Sequence, residues 1–181
     1  MRPAIVNTIN TYIRWGADMP EVRAVTVNDF EELLKCYVQI WENLREWLPD
    51  SFVDPELESI RKTESRERFK QRIKSKDGIF LLAEEKNKII GVALGREYGG
   101  VCNLGFLGVK KEHRREGVGT NLLSRFVKEA KKRKAHKVSL HTSPSLLPAI
   151  ELYIKNGFIP EGFLRKHTRG LDVIVYSKFL E

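Results

Sequence analysis

The sequence predicts an α/β (α+β) domain in which one strand and two helices precede a run of three strands. Short segments in which apolar residues alternate or run continuously are typical of strands, and several such segments occur. Apolar residues also recur at intervals of three and four over longer segments, which is typical of helices that face a core. Glycine, asparagine and proline separate these segments. The predicted order over residues 22–180 is β-α-α-β-β-β-α-β-α-β-β.

The first half of the chain supplies one strand and two helices to this order. Residues 22–27, VRAVTV, are predicted to form the strand. Asp29 is expected to N-cap the first helix, which runs with helical apolar periodicity to Pro49. A second, very polar helix is predicted over residues 56–76 and ends before Gly78. Its apolar side consists of Leu57, Ile60, Phe69 and Ile73.

The second half of the chain supplies the remaining strands and helices. Three strands are predicted at 79–85, 89–97 and 101–109, joined by turns at Lys86–Lys88 and Gly99–Gly100. After them we expect a helix at 118–135, a strand at 137–143, a helix at 146–156 that ends at Gly157, and strands at 162–168 and 172–180.

The 181-residue length fits a single domain, predicted over residues 21–181 and preceded by an extension of residues 1–20. A short helix is expected around residues 5–15 of that extension. Its start lacks the apolar region of a signal peptide, and we find no apolar stretch of the roughly 18 residues that span a bilayer. Cys36 and Cys102 lack metal-ligand spacing, which argues against a zinc site or a disulfide scaffold. We therefore expect a cytoplasmic protein that holds no metal and does not bind membranes.

The charge of the chain is strongly basic, with a formal net charge of +8. Such a charge suits nucleic acid, an acidic protein or a polyanionic small ligand. The basic residues are spread along the chain, and the one dense cluster, KKRKAHK at 131–137, falls at a predicted helix end, where cations are favourable. Because no nucleic-acid motif with interleaved aromatic residues is present, the sequence disfavours nucleic acid as the partner. Abundant charge with only two glutamines is compatible with a thermophile.

A glycine-rich turn at HRREGVGTNLL, residues 113–123, joins the strand that ends at Val109 to the next helix. The start of a helix carries unpaired N–H groups and partial positive charge, so it attracts anions, and glycine lets an anion approach the backbone closely. Arg114 and Arg115 add guanidinium groups that suit phosphate oxygens. The turn therefore predicts a pyrophosphate site, although a solvated, glycine-softened loop would show the same glycines. It matches neither the nucleoside triphosphate loop nor the dinucleotide-binding pattern.

The turn resembles the acetyl-CoA signature of the GCN5-related N-acetyltransferase (GNAT) superfamily. RREGVG at 114–119 fits Gln/Arg-x-x-Gly-x-Gly/Ala, and AIELYIKNGF at 149–158 is similar to the family's next helix. The resemblance covers residues 22–180 in element order. It implies a central mixed, mostly antiparallel sheet of six to seven strands flanked by about four helices. It also implies an enzyme that moves an acetyl group from acetyl-CoA directly to an amine.

The resemblance also assigns roles to individual residues. Backbone groups of Leu107 and Val109 would pair with the pantetheine arm, and Tyr153 would act as general acid toward the CoA thiolate. The N–H groups of residues 115–120 would cradle the pyrophosphate. The implied donor-binding residues are Leu107, Gly108, Val109, Arg114, Arg115, Glu116, Gly117, Val118, Gly119, Thr120 and Ser145. A tyrosine in the core of an amphipathic helix is the alternative interpretation of Tyr153.

Two departures from the family pattern leave parts of the site open. Leu146 stands where many members have an asparagine that touches the pantetheine, so that contact is absent or comes from Ser143 or Ser145. The strand 101–109 lacks the glutamate that often serves as base. Glu97, Cys102, His141 and water remain candidates for the base. Because an α-amine is far closer to neutral at pH 7 than a lysine amine, the missing glutamate favours an α-amine acceptor.

The acceptor is expected to be a protein N-terminal or lysine amine, or a small-molecule amine. Its pocket should lie between the first two helices and the last two strands, with Trp41, Trp47, Phe52 and residues 165–170 as candidates. A non-catalytic acyl-CoA-binding module of the same fold is the alternative function. A homodimer is a further expectation from analogy.

Overall fold

The computed structural model describes residues 19–181, so the helix expected at residues 5–15 lies outside the described residues. The helices are α1 (Phe30–Asn43), α2 (Asp50–Arg61), α3 (Thr63–Lys74), α4 (Val118–Lys132) and α5 (Leu147–Lys155). The strands are β1 (Glu21–Ala24), β2 (Gly78–Glu85), β3 (Lys88–Tyr98), β4 (Val101–Val109), β5 (Lys137–Thr142), β6 (Ile159–Thr168) and β7 (Leu171–Phe179). The predicted fold class is confirmed, with one helix more than expected.

The strands of the described chain form one seven-stranded sheet in the order β1-β2-β3-β4-β5-β7-β6. Every neighbouring pair is antiparallel except β4 and β5, which run parallel. This is the mixed, mostly antiparallel sheet that the resemblance implies. The parallel pair arises because α4 carries the chain from the end of β4 back to the start of β5.

Helices cover both faces of the sheet. Helices α4 and α5 bury an apolar cluster on one face, in which Leu122, Phe126 and Tyr153 contact strand residues such as Leu140. Helices α1–α3 cover the other face through two clusters centred on Leu33 and Trp41. Burying a large apolar side chain in this way contributes about 1.5–3 kcal/mol.

Two predictions for the first half of the chain are wrong in detail. The polar helix predicted at 56–76 is two helices, with an extended residue, Lys62, between them. The eight polar residues between Ile60 and Phe69 leave no continuous apolar stripe, and the two halves join different clusters. Helix α2 begins at Asp50 and contains Pro55 in its second turn, where the missing N–H removes one intrahelical hydrogen bond.

The first helix also differs from the expectation at both ends. Asp29 occupies the N-cap position of α1 as predicted, but its carboxylate accepts hydrogen bonds from the N–H of Thr26 at 2.7 Å and from Arg23 at 2.8 and 2.9 Å, so its side chain makes no capping bond to α1. The guanidinium of Arg23 holds the pKa of the Asp29 carboxyl well below its usual range. At the other end α1 stops at Asn43, and a 3₁₀ turn replaces the predicted continuation to Pro49.

A β-bulge in the centre of the sheet determines where the strands part. Leu94 of β3 pairs with Phe106, but Gly95 pairs with Leu104, so Gly105 is an extra residue on β4. The parallel pairing of β4 with β5 ends at Leu104 and Leu140, next to this bulge. Gly105–Val109 therefore continue along β3 without a strand partner on their other side.

We predict that Gly95→Ala lowers the free energy of unfolding by about 1–3 kcal/mol, because overpacking a filled core has this cost. A Cβ at Gly95 would lie 2.3 Å from the carbonyl oxygen of Asn103 and 2.6 Å from the ring of Phe126. Gly105→Ala is the matched control, since its nearest contact would be an ordinary 3.6 Å. Urea denaturation of both variants measures the difference, and equal losses would contradict the packing argument.

Candidate functional site

The open edge of β4 presents backbone hydrogen-bonding groups away from β3. The N–H of Lys110 donates to the carbonyl of Ile90 at 2.9 Å, and antiparallel bonding alternates, so Leu107 and Val109 direct their backbone groups to the opposite side. The carbonyl of Val109 confirms this direction, because it accepts a hydrogen bond from Nε of Arg114 at 3.2 Å. An extended ligand can therefore add to β4 as a strand would.

Gly108, which lies between Leu107 and Val109, pairs with Val92 of β3. A Cβ at this position would lie 2.6 Å from Cγ2 of Ile40. The absence of a side chain therefore lets α1 pack closely on β4. The structure places Gly108 at this helix contact, while its neighbours Leu107 and Val109 form the open edge.

The loop after β4 delivers the chain to the N-terminus of α4. Arg115 and Gly117 both adopt positive φ, at 66° and 85°, which turns the backbone sharply before the helix. The first intrahelical hydrogen bond runs from the N–H of Asn121 to the carbonyl of Gly117 at 3.0 Å. The N–H groups of residues 118–120 precede that bond and are available to an anion.

The two glycines of the turn, Gly117 and Gly119, have different structural roles. Gly117 needs the left-handed conformation, which costs a residue with a side chain about 1–2 kcal/mol. Gly119 has no such requirement, and a Cβ there would meet Leu152 of α5 at 3.4 Å and Val109 at 3.8 Å. These are ordinary contacts, in keeping with a motif that accepts glycine or alanine at this position.

The arginines of the turn are engaged by protein groups. Arg114 lies 5.2 Å from the ring centroid of Trp47 and 3.9 Å from a carboxylate oxygen of Glu46, besides its bond to Val109. Arg115 forms an ion pair of 2.8 Å with Glu151 of α5. The predicted guanidinium groups thus face protein partners, whereas the backbone N–H groups at the start of α4 are available to an anion. Glu116 lies beside His113, 3.6 Å from its Nδ1, and Thr120 is exposed on the first turn of α4.

Tyr153 lies on α5 at the level where β4 and β5 part. Its ring is 6.3 Å from that of Tyr176, which pairs with Leu140, and 5.9 Å from that of Phe158. The side chain is 6% exposed, and within residues 19–181 its hydroxyl makes no hydrogen bond. Burial raises the pKa of Tyr153 well above its ordinary value, so the hydroxyl stays protonated.

The segment before α5 explains one departure from the family pattern. Leu146 packs with Trp41, Leu48 and Val53 in the apolar cluster on the α1–α3 face. A polar side chain there would lose these contacts. The hydroxyls of Ser143 and Ser145 are exposed and lie 2.8 Å apart, hydrogen-bonded to each other.

The three side chains considered as base occupy very different places. Glu97 accepts the N–H of Gly100 at 2.7 Å in the β3–β4 turn. Cys102 is fully buried near the start of β4, and burial raises its thiol pKa. Both therefore lie at the opposite end of β4 from the open edge, roughly 20 Å away at ~3.3 Å per residue.

His141 alone lies where the strands part, one residue after the last β4–β5 pair. Because side chains alternate along a strand and Leu140 joins the α4–α5 cluster, His141 faces the α1–α3 side. Its ring packs 5.4 Å from that of His167 on β6, edge to face. Partial desolvation, with a smaller contribution from His167, lowers the pKa of His141, although its side chain is exposed. Sequence reasoning missed this pairing, since the two histidines are far apart in the chain.

The elements predicted to surround the acceptor meet on the face of the sheet that α1–α3 cover. Arg169, in the β6–β7 turn, donates to the carbonyl of Phe52 at 3.0 Å and to Glu56 at 2.7 Å. Trp41 stacks on Phe106 of β4 at 5.6 Å and belongs to the core, whereas Trp47 lies beside Arg114. The β6–β7 turn is therefore anchored to α2 beside the parted strands.

Residues 19–181 contain no group of three or more His, Cys, Asp or Glu side chains placed to hold a metal ion. None of the helices in this part of the chain combines the length and apolar character needed to cross a membrane.

Comparison with known proteins identifies the family. The model of the acetyltransferase (GNAT) family matches residues 41–158, and the chain belongs to this family. It is therefore an N-acetyltransferase whose acyl donor is acetyl-CoA. The resemblance stated from the sequence is confirmed.

Solved structures share the fold at low sequence identity. A PaiA N-acetyltransferase from Thermoplasma acidophilum, solved with coenzyme A, is 21% identical, with a TM-score of 0.75 over 88% of this chain and 98% of its own. A ribosomal-protein-alanine N-acetyltransferase from Brucella melitensis is 24% identical, with a TM-score of 0.71 over 88% and 99%. The ribosomal-protein-S18-alanine N-acetyltransferase from Escherichia coli is 17% identical, with a TM-score of 0.67 over 90% and 95%.

Proposed function

We propose that the chain transfers the acetyl group of acetyl-CoA directly to an amine of a protein or a small molecule, at the point where β4 and β5 part. The observation that carries this proposal is the continuity between the open β4 edge and the free N–H groups at the start of α4. An extended arm followed by a diphosphate matches these two features in order. Two solved relatives act on ribosomal-protein alanine, which supports a protein α-amine as one acceptor class.

The donor is held by the chain in two parts. Leu107 and Val109 bond the pantetheine arm through the open edge of β4. The N–H groups of residues 115–120 surround the diphosphate, and the helix dipole adds about 0.3–1 kcal/mol. Gly117 shapes this turn, and the exposed hydroxyl of Ser145 is placed to contact the pantetheine in the absence of the family's asparagine.

Tyr153 supplies the proton to the leaving group. Acetyl-CoA brings a thioester whose carbon–sulfur bond breaks as the amine nitrogen bonds to the acetyl carbon. The hydroxyl of Tyr153 then donates its proton to the thiolate. Its apolar surroundings suit this role, because they keep the phenol protonated and leave its hydroxyl without a competing partner.

His141 accepts the proton that the attacking amine loses. Its lowered pKa keeps the imidazole neutral at pH 7 and therefore able to take a proton. Tyr153 and His141 approach the parted strands from opposite faces of the sheet. The amine thus enters from the α1–α3 face, and the thiolate receives its proton on the α5 face.

The alternative function, an acyl-CoA-binding module without turnover, would need no acid and no base. A buried phenol and an imidazole at the point of strand separation favour the enzyme. The two cysteines are free thiols buried in the described structure, which fits a reducing compartment, and we place the enzyme in the cytoplasm. A homodimer and a thermophilic source remain predictions.

The donor site is tested by calorimetric titration of acetyl-CoA into the full chain. Thr120→Glu places a carboxylate among the N–H groups and should weaken binding about tenfold or more by charge repulsion. The fold should survive, since acidic residues are favourable in the first turn of a helix.

Ser124→Glu, exposed one turn further along α4, is the matched control and should bind normally. Acetyl-pantetheine, which lacks the diphosphate, should bind weakly to both variants and to the wild type. Equal affinity of acetyl-CoA for the two variants would show that the diphosphate lies elsewhere.

The acid is tested with Tyr153→Phe, assayed by release of the CoA thiol with a panel of amines. We expect kcat to fall about 10²–10⁴-fold, the range for losing a general acid. Acetyl-CoA affinity and unfolding free energy should change little, because the hydroxyl makes no hydrogen bond within the described chain. Tyr176→Phe, an equally buried neighbour, is the control. An unchanged kcat in Tyr153→Phe would show that Tyr153 serves only as a packed residue of the core.

The base is tested by the pH dependence of kcat/KM. A neutral imidazole is required, so the rate should rise with pH through a midpoint below the ordinary histidine value of about 6.5. This rise of kcat/KM with pH, the acidic limb of the profile, should be absent in His141→Gln. His167→Gln should keep the limb and move its midpoint upward, because the charge on His167 helps to lower the pKa of His141. A limb that persists in His141→Gln would assign proton removal to water.

A further inference from the structure

A cavity of about 390 Å³ lies between helices α1–α3 and the sheet. Its walls are largely aromatic and aliphatic: Tyr37, Phe69, Phe80, Leu94 and Phe106. Tyr37 packs 4.5 Å from Phe106 and 6.2 Å from Phe69, ring centroid to ring centroid. The cavity is large enough for a small acceptor or for the first residues of a peptide.

The inner end of the cavity reaches the parted strands. Gly105, the bulge residue of β4, and its neighbour Phe106 both line it. Gly105 follows the last residue of β4 that pairs with β5, and His141 follows the corresponding residue of β5. An acceptor in the cavity can therefore direct its amine toward the place where the proposed transfer occurs.

The rim of the cavity is formed by one side of α3. Ser65, Arg68 and Arg72 follow one another at three and four residues, so they share a helix face, and all three line the cavity. Within residues 19–181 no carboxylate lies within 4.0 Å of Arg68 or Arg72, and Arg68 donates only to the carbonyl of Glu64 at 3.3 Å and to Oγ of Ser65 at 3.4 Å. Arg72 instead lies 5.8 Å from the ring centroid of Phe80.

The other charges at the rim are already paired. Arg66 holds Glu31 with contacts of 2.6 and 2.7 Å. Glu56, the acidic residue of the lining, is bonded to Arg169 at 2.7 Å. Arg68 and Arg72 thus give the rim an excess of positive charge, which a negatively charged group on the acceptor can neutralise.

We infer that this cavity binds the acceptor and selects an amine that carries a carboxylate, with the carboxylate held by Arg68 and Arg72. A guanidinium binds a carboxylate through charge-assisted hydrogen bonds, whereas a diamine would bring its second cation toward two arginines that have no carboxylate partner. The inference rests on the proposed function for its location of the reacting amine. It excludes polyamines as preferred acceptors.

The test uses three amines of similar length that differ in charge: 4-aminobutanoate, 4-aminobutanamide and 1,4-diaminobutane. Their binding to the full chain is measured by calorimetry, for the free protein and for the protein saturated with CoA. We expect the carboxylate to bind about tenfold more tightly than the neutral amide, and the diamine most weakly. This preference should shrink as salt is added.

The variant Arg68→Gln/Arg72→Gln should lose the preference while binding acetyl-CoA normally. Lys74→Gln/Lys76→Gln is the matched control, because it removes two charges at and just beyond the end of α3 from residues that do not line the cavity. A second pair of probes, the amidated tetrapeptides Ala-Glu-Glu-Ala and Ala-Gln-Gln-Ala, separates an acidic protein N-terminus from a free amino acid as the source of the carboxylate.

Equal or reversed affinities across the charge series overturn the inference, as does absence of binding by all probes or a preference that survives in Arg68→Gln/Arg72→Gln. The proposed function fails separately, by loss of acetyl-CoA binding in the wild type. If the protein prefers the carboxylate but does not bind acetyl-CoA, the assignment of the cavity as a carboxylate site stands and the proposed acetyl transfer is wrong.

Discussion

The separation of β4 from β5 is the constraint on which the site depends. Were the parallel ladder to continue past Leu104, β5 would saturate the backbone groups of Leu107 and Val109 and leave no edge for a ligand. The bulge at Gly105 adds one residue to β4 at this point and changes the face to which its side chains point. Leu104 consequently faces the α4–α5 cluster, whereas Phe106 faces the α1–α3 clusters. One irregularity thus opens the edge and orients the aromatic wall of the cavity.

In the proposed mode of binding, backbone groups hold the donor more than side-chain charge does. The guanidinium groups of Arg114 and Arg115 contact protein groups, and their main effect is to brace the loop against β4 and α5. Backbone N–H groups do not titrate, so the attraction of the turn for a diphosphate stays constant with pH. The net charge of +8 then adds long-range attraction for any anion, donor or acceptor.

Local patterns predicted the parts of the molecule that local interactions determine. The β2–β3–β4 meander, α4 and the turn at Gly117 follow from periodicity and glycine placement within short windows. The break at Lys62 was missed because the eight polar residues between Ile60 and Phe69 carry no apolar period that could mark an interruption. The His141–His167 contact and the arginine rim were missed for a different reason. Each joins residues that only the completed sheet and the packing of α1–α3 bring together.

Desolvation, nearly complete for Tyr153 and partial for His141, shifts the pKa values of the proposed acid and base in opposite directions, and both shifts favour the reaction. Removing a phenol from water penalises its anion, which raises the pKa of Tyr153. Partial desolvation of the His141 imidazole, together with the charge on His167, penalises the cation and lowers the pKa of His141. At pH 7 the acid therefore carries its proton and the base lacks one, before either reactant arrives. The missing carboxylate on β4 fits this arrangement, because an anion beside His141 would raise its pKa and shift the imidazole toward the cation, which cannot accept a proton from the amine.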